Sequence, residues 1–175
     1  MRKVTLGVGN SLDNYIARAD GGYDWLMWTE EIARVSAAYF KRVDTILMGR
    51  KTYDIARQQG DVEASPFPHL KTYVLSRTLT KAPDEQVEIA SDAVKLVRRL
   101  KRRRGKEICV MGGGELAHAL FEARLIDEVV VNIHPVLLGS GIPLFHEMKR
   151  QINLRLLKNT TFKNGCVLLS YAVKK

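Results

Sequence analysis

Short, nearly unbroken apolar runs alternate along this chain with longer segments in which apolar residues recur every three or four positions. The first rhythm is that of buried strands, the second that of amphipathic helices. Strands are predicted over Lys3 to Val8, Thr45 to Met48, Lys71 to Leu75, Val87 to Ala90 and Ile108 to Val110. Helices are predicted over Thr29 to Lys41, Lys51 to Gln58, Asp92 to Arg103 and Glu115 to Leu125. In the first helix Ile32, Val35, Ala38 and Tyr39 keep helical spacing behind Thr29, a residue type that caps helix starts. Toward the C-terminus Asp127 to Leu138, Asn153 to Phe162 and Cys166 to Val173 read as strands, and Asn164-Gly165 is a hairpin signal between the last two. Ala19-Asp20-Gly21-Gly22 is a turn cluster, and Asp61 to His69, with Pro66 and Pro68, reads as a surface loop. Strands alternating with helices predict an α/β fold with a mostly parallel sheet covered on both faces and an antiparallel hairpin at its C-terminal edge. No repeat, low-complexity tract or linker interrupts the pattern, so residues 1–175 are expected to form one domain.

Composition narrows the class. A hydrophobic content of 46% with 27% charged residues belongs to a soluble globular protein. No apolar run approaches the roughly 20 residues of a membrane span, and Met1-Arg2-Lys3 reaches polar residues too early for a signal peptide. Cys109 and Cys166 both lie in strand-like apolar runs and read as small buried hydrophobes, with no metal-ligand spacing. A cytoplasmic protein without a metal is expected. The net charge of +9 is concentrated in Lys95, Arg98, Arg99, Lys101, Arg102, Arg103, Arg104 and Lys106. A solvated helix face and its C-terminal end account for this run. A nucleic-acid footprint would want interleaved aromatic residues and a recognisable motif, and neither is present.

The chemistry concentrates where strands end. Met111-Gly112-Gly113-Gly114-Glu115 joins an apolar run directly to a helix, so bare backbone N–H groups and the positive end of the helix dipole converge there. Met48-Gly49-Arg50-Lys51-Thr52 likewise follows a strand and opens a helix, and Leu75-Ser76-Arg77-Thr78 follows the next strand with a cation and two hydroxyls. Ligands of open α/β sheets sit at the carboxyl ends of strands. Three anion-receptive strand ends suit a ligand with several phosphates, such as NADPH, with one element on the pyrophosphate and another on the 2′-phosphate. The usual dinucleotide fingerprint, glycines after the first strand and an acid about 20 residues on, is absent.

Leu47-Met48-Gly49-Arg50-Lys51-Thr52-Tyr53, Val74-Leu75-Ser76-Arg77 and Met111-Gly112-Gly113-Gly114-Glu115-Leu116 resemble, in this order, the motifs of dihydrofolate reductases. Ser11-Leu12-Asp13, Leu125-Ile126-Asp127-Glu128 and the run from Pro135 through Leu138-Gly139-Ser140-Gly141 to Phe145 are more similar still to the reductase domain of the bacterial bifunctional riboflavin-biosynthesis enzyme. The resemblance implies a dihydrofolate-reductase-like three-layer α/β/α fold, NADPH and hydride transfer. It implies that Gly49, Arg50, Lys51, Thr52, Leu75, Ser76 and Arg77 hold the adenosine end of the cofactor. Gly112, Gly113, Gly114, Glu115 and Leu116 would hold the pyrophosphate, and Val8, Ile16 and Ala17 would flank the nicotinamide. The family also tends to place a cis peptide between the first two glycines, here Gly112-Gly113.

Departures from the pattern choose the branch. A folate reductase carries a carboxylate one turn before an aromatic residue on the helix after the first loop. With Phe40 as that aromatic, Ser36 stands in the acid's place, and Glu30 and Glu31 lie at the helix start, where they favour the dipole. Ala117 occupies a position where folate enzymes usually have tyrosine. The zinc-deaminase signature that accompanies the riboflavin reductase is missing. A stand-alone reductase domain acting on a small heterocyclic or sugar-linked substrate is therefore expected, with folate or pteridine reduction, or non-catalytic nucleotide binding, as alternatives. Asn14, Trp28, Ser36, Leu138 and Gly139 are the candidate substrate contacts. Asp13 is the candidate polar contact or proton relay, or else a turn aspartate bonded to nearby backbone. Trp25 and Trp28 either pack in the core or line a flat pocket, and His118 and His134 read as structural. A homodimer is expected from the exposed sheet edge that such a domain presents.

Overall fold

A computed structural model of the chain describes residues 1–58, 69–81 and 87–174. In chain order the elements are β1 (Val4–Ser11), β2 (Tyr15–Ala17), α1 (Glu30–Phe40), β3 (Val43–Gly49), α2 (Arg50–Gln58), β4 (Lys71–Leu75), β5 (Val87–Ala90), α3 (Ala93–Arg102), β6 (Glu107–Val110), α4 (Gly114–Glu122), β7 (Glu128–His134), β8 (Ile142–Pro143), β9 (Leu154–Thr161) and β10 (Val167–Val173). Eight strands form one sheet in the order β5-β4-β3-β6-β1-β7-β10-β9, and β2 pairs with β8 apart from it. All neighbours from β5 to β7 are parallel, whereas β10 is antiparallel to both β7 and β9.

Helices cover both faces because their apolar stripes have somewhere to go. On one side Leu96, Val97 and Leu100 of α3 and Leu116, Ala117, Leu120 and Phe121 of α4 close over Leu6, Leu47, Val110, Val129 and Val131. On the other, Tyr39 of α1 and Tyr53 of α2 meet Ile46, Met48, Val74 and Cys109, and Ile32 of α1 packs on Phe162 and Cys166. Each fully buried aliphatic side chain contributes about 1.5–3 kcal/mol. Both cysteines are free and buried, and burial pushes the Cys109 thiol up to about 12.

Thr29 forms the expected cap, its side chain accepting from Ile32 N, and Asp92 caps α3 by accepting from Lys95 N. The hairpin signal becomes a three-residue loop in which Gly165, at φ +85°, donates to Phe162 O while Phe162 N donates to Cys166 O. Three expectations change. The first strand runs on to Ser11, because β7 accompanies it through Ser11↔His134. The short strands β2 and β8 are too brief for a periodic signal. Lys101 is not part of a solvated basic face: its side chain is 8% exposed, and its Nζ pairs with Asp127 and donates to Leu125 O at 3.4 Å. The expected loop over 61–68 lies outside the described residues. No described helix is long and apolar enough to cross a membrane.

Candidate functional site

The strand ends β4, β3, β6 and β1 are neighbours in the sheet, so the three phosphate-type elements and Val8 come together at one edge. Met111 is anchored to β3 through its N–H on Leu47 O at 2.9 Å. Beyond it the backbone turns through Gly112 at φ +79° and Gly113 at φ +78°. Helix α4 then begins with Gly113 at its N-cap and no side-chain cap, in contrast to α1 and α3. Its first N–H groups are therefore free for a ligand.

The three glycines serve different ends. Gly112 and Gly113 hold backbone conformations that L side chains avoid. A Cβ on Gly112 would stand 3.8 Å from Thr52 Cγ2 and 3.9 Å from Val8 Cγ1, and one on Gly113 would face Gly49 at 3.8 Å. Gly114 is needed for packing, since a Cβ there would come within 2.4 Å of Pro143 O and 2.6 Å of His146 Nε2. Opposite them, a Cβ on Gly49 would meet nothing within 4 Å. The result is a surface of bare backbone in which Gly112 and Gly113 approach Thr52, Val8 and Gly49, with open space beside Gly49. The expected cis bond is not found: among the described residues every peptide bond is trans, Gly112-Gly113 included, and the turn is made by positive φ instead.

The cations at the rim differ in freedom. Arg50 donates through Nε to Asp54 Oδ2 at 2.6 Å, an exposed i,i+4 pair. Arg77 and Lys51 are exposed. The Ser76 hydroxyl accepts from Thr78 N and Leu79 N at 3.2 and 2.9 Å and shapes its own turn, and Leu75 ends β4 beside Gly49. Glu115 is exposed in the first turn of α4, where an acid favours the dipole, while the Leu116 side chain belongs to the core. Ile16 packs on the main core and Ala17 is buried. The NADPH-type residues thus fit a phosphate ligand through backbone donors first and side-chain cations second.

On the far side of β1 two loops are fastened together. Leu12 N donates to Val136 O at 2.9 Å, and Leu144 N donates to the carbonyl of Asn14, itself at φ +74°. Asp13 accepts from Ser11 Oγ at 2.6 Å, from Leu138 N at 3.1 Å and from Gly139 N at 2.7 Å. The Ser11 hydroxyl, with the two backbone donors, holds its carboxyl below the usual carboxylate range. Its backbone partners are therefore not those of a local turn: the carboxylate ties its own loop to one 125 residues downstream. Leu12, Trp28 and Leu137 are exposed around these loops. Trp25 is buried and stands edge-on to His134 with ring centroids 5.6 Å apart, so the two tryptophans divide between packing and rim.

Helix α1 contributes no carboxylate here. Glu31 accepts from Lys163 N at 3.4 Å, and Glu30 is exposed. Ser36 lies half-buried mid-helix. Phe40 cannot serve as a ring-stacking residue at this end of the sheet. It sits at the opposite pole against Tyr39, just before the chain enters β3, where the adjoining Arg42 O accepts from Glu107 N.

Residues 2–168 match the model of the RibD C-terminal domain family. The chain is 36% identical to the uncharacterized protein YwjB of Bacillus subtilis strain 168, over 97% of each chain. Among solved structures it is similar to a protein assigned to riboflavin biosynthesis in Shewanella sp. PV-4, with TM-score 0.83, 27% identity and full coverage of both chains. It also matches the diaminohydroxyphosphoribosylaminopyrimidine deaminase/5-amino-6-(5-phosphoribosylamino)uracil reductase of Thermotoga maritima, with TM-score 0.74 and 14% identity. There it covers 99% of this chain and 57% of that one.

Proposed function

This chain belongs to the RibD C-terminal domain family, and on that premise we propose that it is an NADPH-dependent reductase of the cytoplasm, one reductase domain from end to end. The observation that carries the reading is the uncapped start of α4 behind two positive-φ glycines, beside Thr52 and the open space at Gly49. When bound, NADPH supplies the hydride, and the chain's task is binding, orientation and electrostatics. Gly112 to Leu116 would hold the pyrophosphate through backbone N–H groups, Arg77 with Gly49, Arg50, Lys51, Thr52, Leu75 and Ser76 would hold the adenosine end, and Val8, Ile16 and Ala17 would flank the nicotinamide.

The substrate is a small heterocyclic or sugar-linked compound whose flat ring rests near Trp28, Leu12 and the 138–139 loop, with Asn14 and Ser36 as polar candidates. Asp13, ionised at neutral pH, fixes that loop. Dihydrofolate is the weaker substrate, because the acids of α1 are exposed or turned to the 163 turn. The copies pair as a homodimer through β9, whose Leu154, Leu156 and Leu157 are exposed on the sheet edge.

A thermal-shift series with NADPH, NADH, dihydrofolate and pyrimidine ribotides tests the reading. NADPH at about 100 times its Kd adds roughly 2.7 kcal/mol, a rise of about 5–11 °C for a chain of this size. No shift with NADPH refutes it. A shift without NADPH oxidation on any substrate leaves a nucleotide-binding module.

A further inference from the structure

We infer that His134 is a positioning residue, an imidazole peg that holds the Tyr23–Thr29 segment against the sheet and lets it go when protonated. The inference rests on the reading of that segment, which carries Trp28, as a wall of the substrate side.

His134 ends β7 and is 2% exposed. Met27 N donates to its Nδ1 at 3.1 Å, across 107 positions of sequence. With an N–H aimed at Nδ1, the hydrogen-bond network assigns the ring proton to Nε2. Asn132 Nδ2 is placed 3.1 Å from Nε2 while its Oδ1 has no partner; because the oxygen and nitrogen of an amide are assigned from the hydrogen-bond network, the Nε2 proton turns that amide over and takes Oδ1 as its acceptor. Trp25 of the same segment meets the ring edge-on, and Leu26 lies beside it. A Cβ on Gly9 would stand 2.9 Å from Leu26 Cδ2 and 3.3 Å from His134 Nε2. The glycine in the middle of β1 thus leaves the space in which peg and segment meet.

Protonation must occur at Nδ1, the ring nitrogen without a hydrogen. It would set one N–H against another and replace an attraction by a repulsion. Among the groups in contact with the ring only the Cys166 thiol titrates, 3.4 Å from Nδ1, and burial raises it. Charged groups on the surrounding elements are engaged elsewhere: Asp24 with Arg18, Glu31 with Lys163 N, and Asp13 with Ser11, Leu138 and Gly139. Among the described residues no acidic side chain has a contact with the ring that would stabilise an imidazolium, and burial lowers the affinity of the ring for its proton.

The chain has only two tryptophans, Trp25 and Trp28, and both lie on this segment. Two single-tryptophan variants separate the events. In Trp28→Phe the remaining Trp25 reports the charge on the neighbouring ring. In Trp25→Phe the remaining Trp28, which has no recorded contact with His134, reports movement of the segment through its anisotropy. Lowering the pH from 7.5 to 5 should change both signals along one titration curve, with a midpoint below 6.5. Amide exchange protection at Met27 should fall by about tenfold over that range, the worth of one hydrogen bond. His134→Asn, which keeps an acceptor near the Nδ1 position but cannot titrate, should hold Met27 protected and independent of pH. His134→Leu should lack the protection at every pH. The inference is overturned if Met27 protection in the unsubstituted protein stays flat to pH 5, if Trp25 responds while Trp28 does not, or if His134→Asn titrates as the parent does. None of these readouts involves cofactor or turnover, so failure of the reductase reading is recognised separately, by the absence of an NADPH shift.

Discussion

Gly49 offers the sharpest test of the proposed cofactor site, because there stability and binding part company. Its backbone lies outside the left-handed region and an added Cβ meets nothing within 4 Å. A glycine within a strand costs about 0.5–1 kcal/mol relative to alanine. Gly49→Val should therefore leave the free protein as stable as before, or raise its Tm by about 1–4 °C. The new side chain would enter the open space at Gly49, whose backbone stands 3.8 Å from where a Gly113 Cβ would be, and the pyrophosphate is proposed to use that space. A hydrogen bond to a charged group is worth about 1.5–3 kcal/mol, so displacing the phosphate from even one donor costs roughly ten- to a hundredfold in NADPH affinity. Calorimetric titration of NADPH beside thermal melts of the ligand-free proteins gives both quantities. A Kd within about twofold of the parent, with the fold intact, would mean that the open space is not the ligand's. Gly113→Val cannot make this separation, since at φ +78° a β-branched residue strains the fold by about 1–3 kcal/mol before any ligand arrives.

Arg77→Ala should weaken NADPH by roughly ten- to a hundredfold and NADH far less, because only NADPH carries the 2′-phosphate that Arg77 is proposed to meet; equal losses for the two cofactors would make it a mere surface cation. Lys101→Met should cost about 3 kcal/mol, the low end for breaking a buried pair, because Asp127 keeps its bond from Val4 N at 2.9 Å; adding Asp127→Asn should restore part of the loss, as read by chemical denaturation. Burial depresses the His134 pKa in the folded state, so its contribution to stability is complete above the unfolded value of about 6.5 and is lost as pH falls through the folded one. Denaturation midpoints between pH 7.5 and 5 should show that decline, and His134→Asn should flatten it.

What could be read from the linear chain was what depends on neighbours in sequence. Thr29 and Asp92 cap their helices three residues on, Gly165 completes a local loop, and the strands at Lys71 to Leu75 and Val87 to Ala90 end where their apolar runs end. The proposed cofactor site belongs to this class too. Each of its parts is a strand-to-helix or strand-to-loop junction, and a parallel α/β sheet gathers all such junctions at one edge without further instruction. Even there the reasons were only partly visible: Gly114 reads like Gly112 and Gly113, yet it is required by Pro143 and His146, 29 and 32 positions away.

The substrate side is built on the opposite principle. Its loops are irregular backbone with little periodic signal, and they are fixed by single polar side chains whose partners are remote: Asp13 on Leu138 and Gly139, His134 on Met27, Glu31 on Lys163. An aspartate or histidine that accepts a distant N–H looks, in sequence, the same as one kept for proton transfer. The difference is electrostatic. Ser11 and two backbone donors lower the Asp13 carboxyl, and burial lowers the His134 imidazole, which accepts from Met27 N. In each case the shift favours the charge state that accepts the remote N–H. On the proposed reading the cofactor end of this chain is backbone-built while its substrate wall hangs on such pins, so substitutions at Leu12, Trp28 or Leu137 on the pinned loops should alter substrate preference and leave NADPH affinity unchanged.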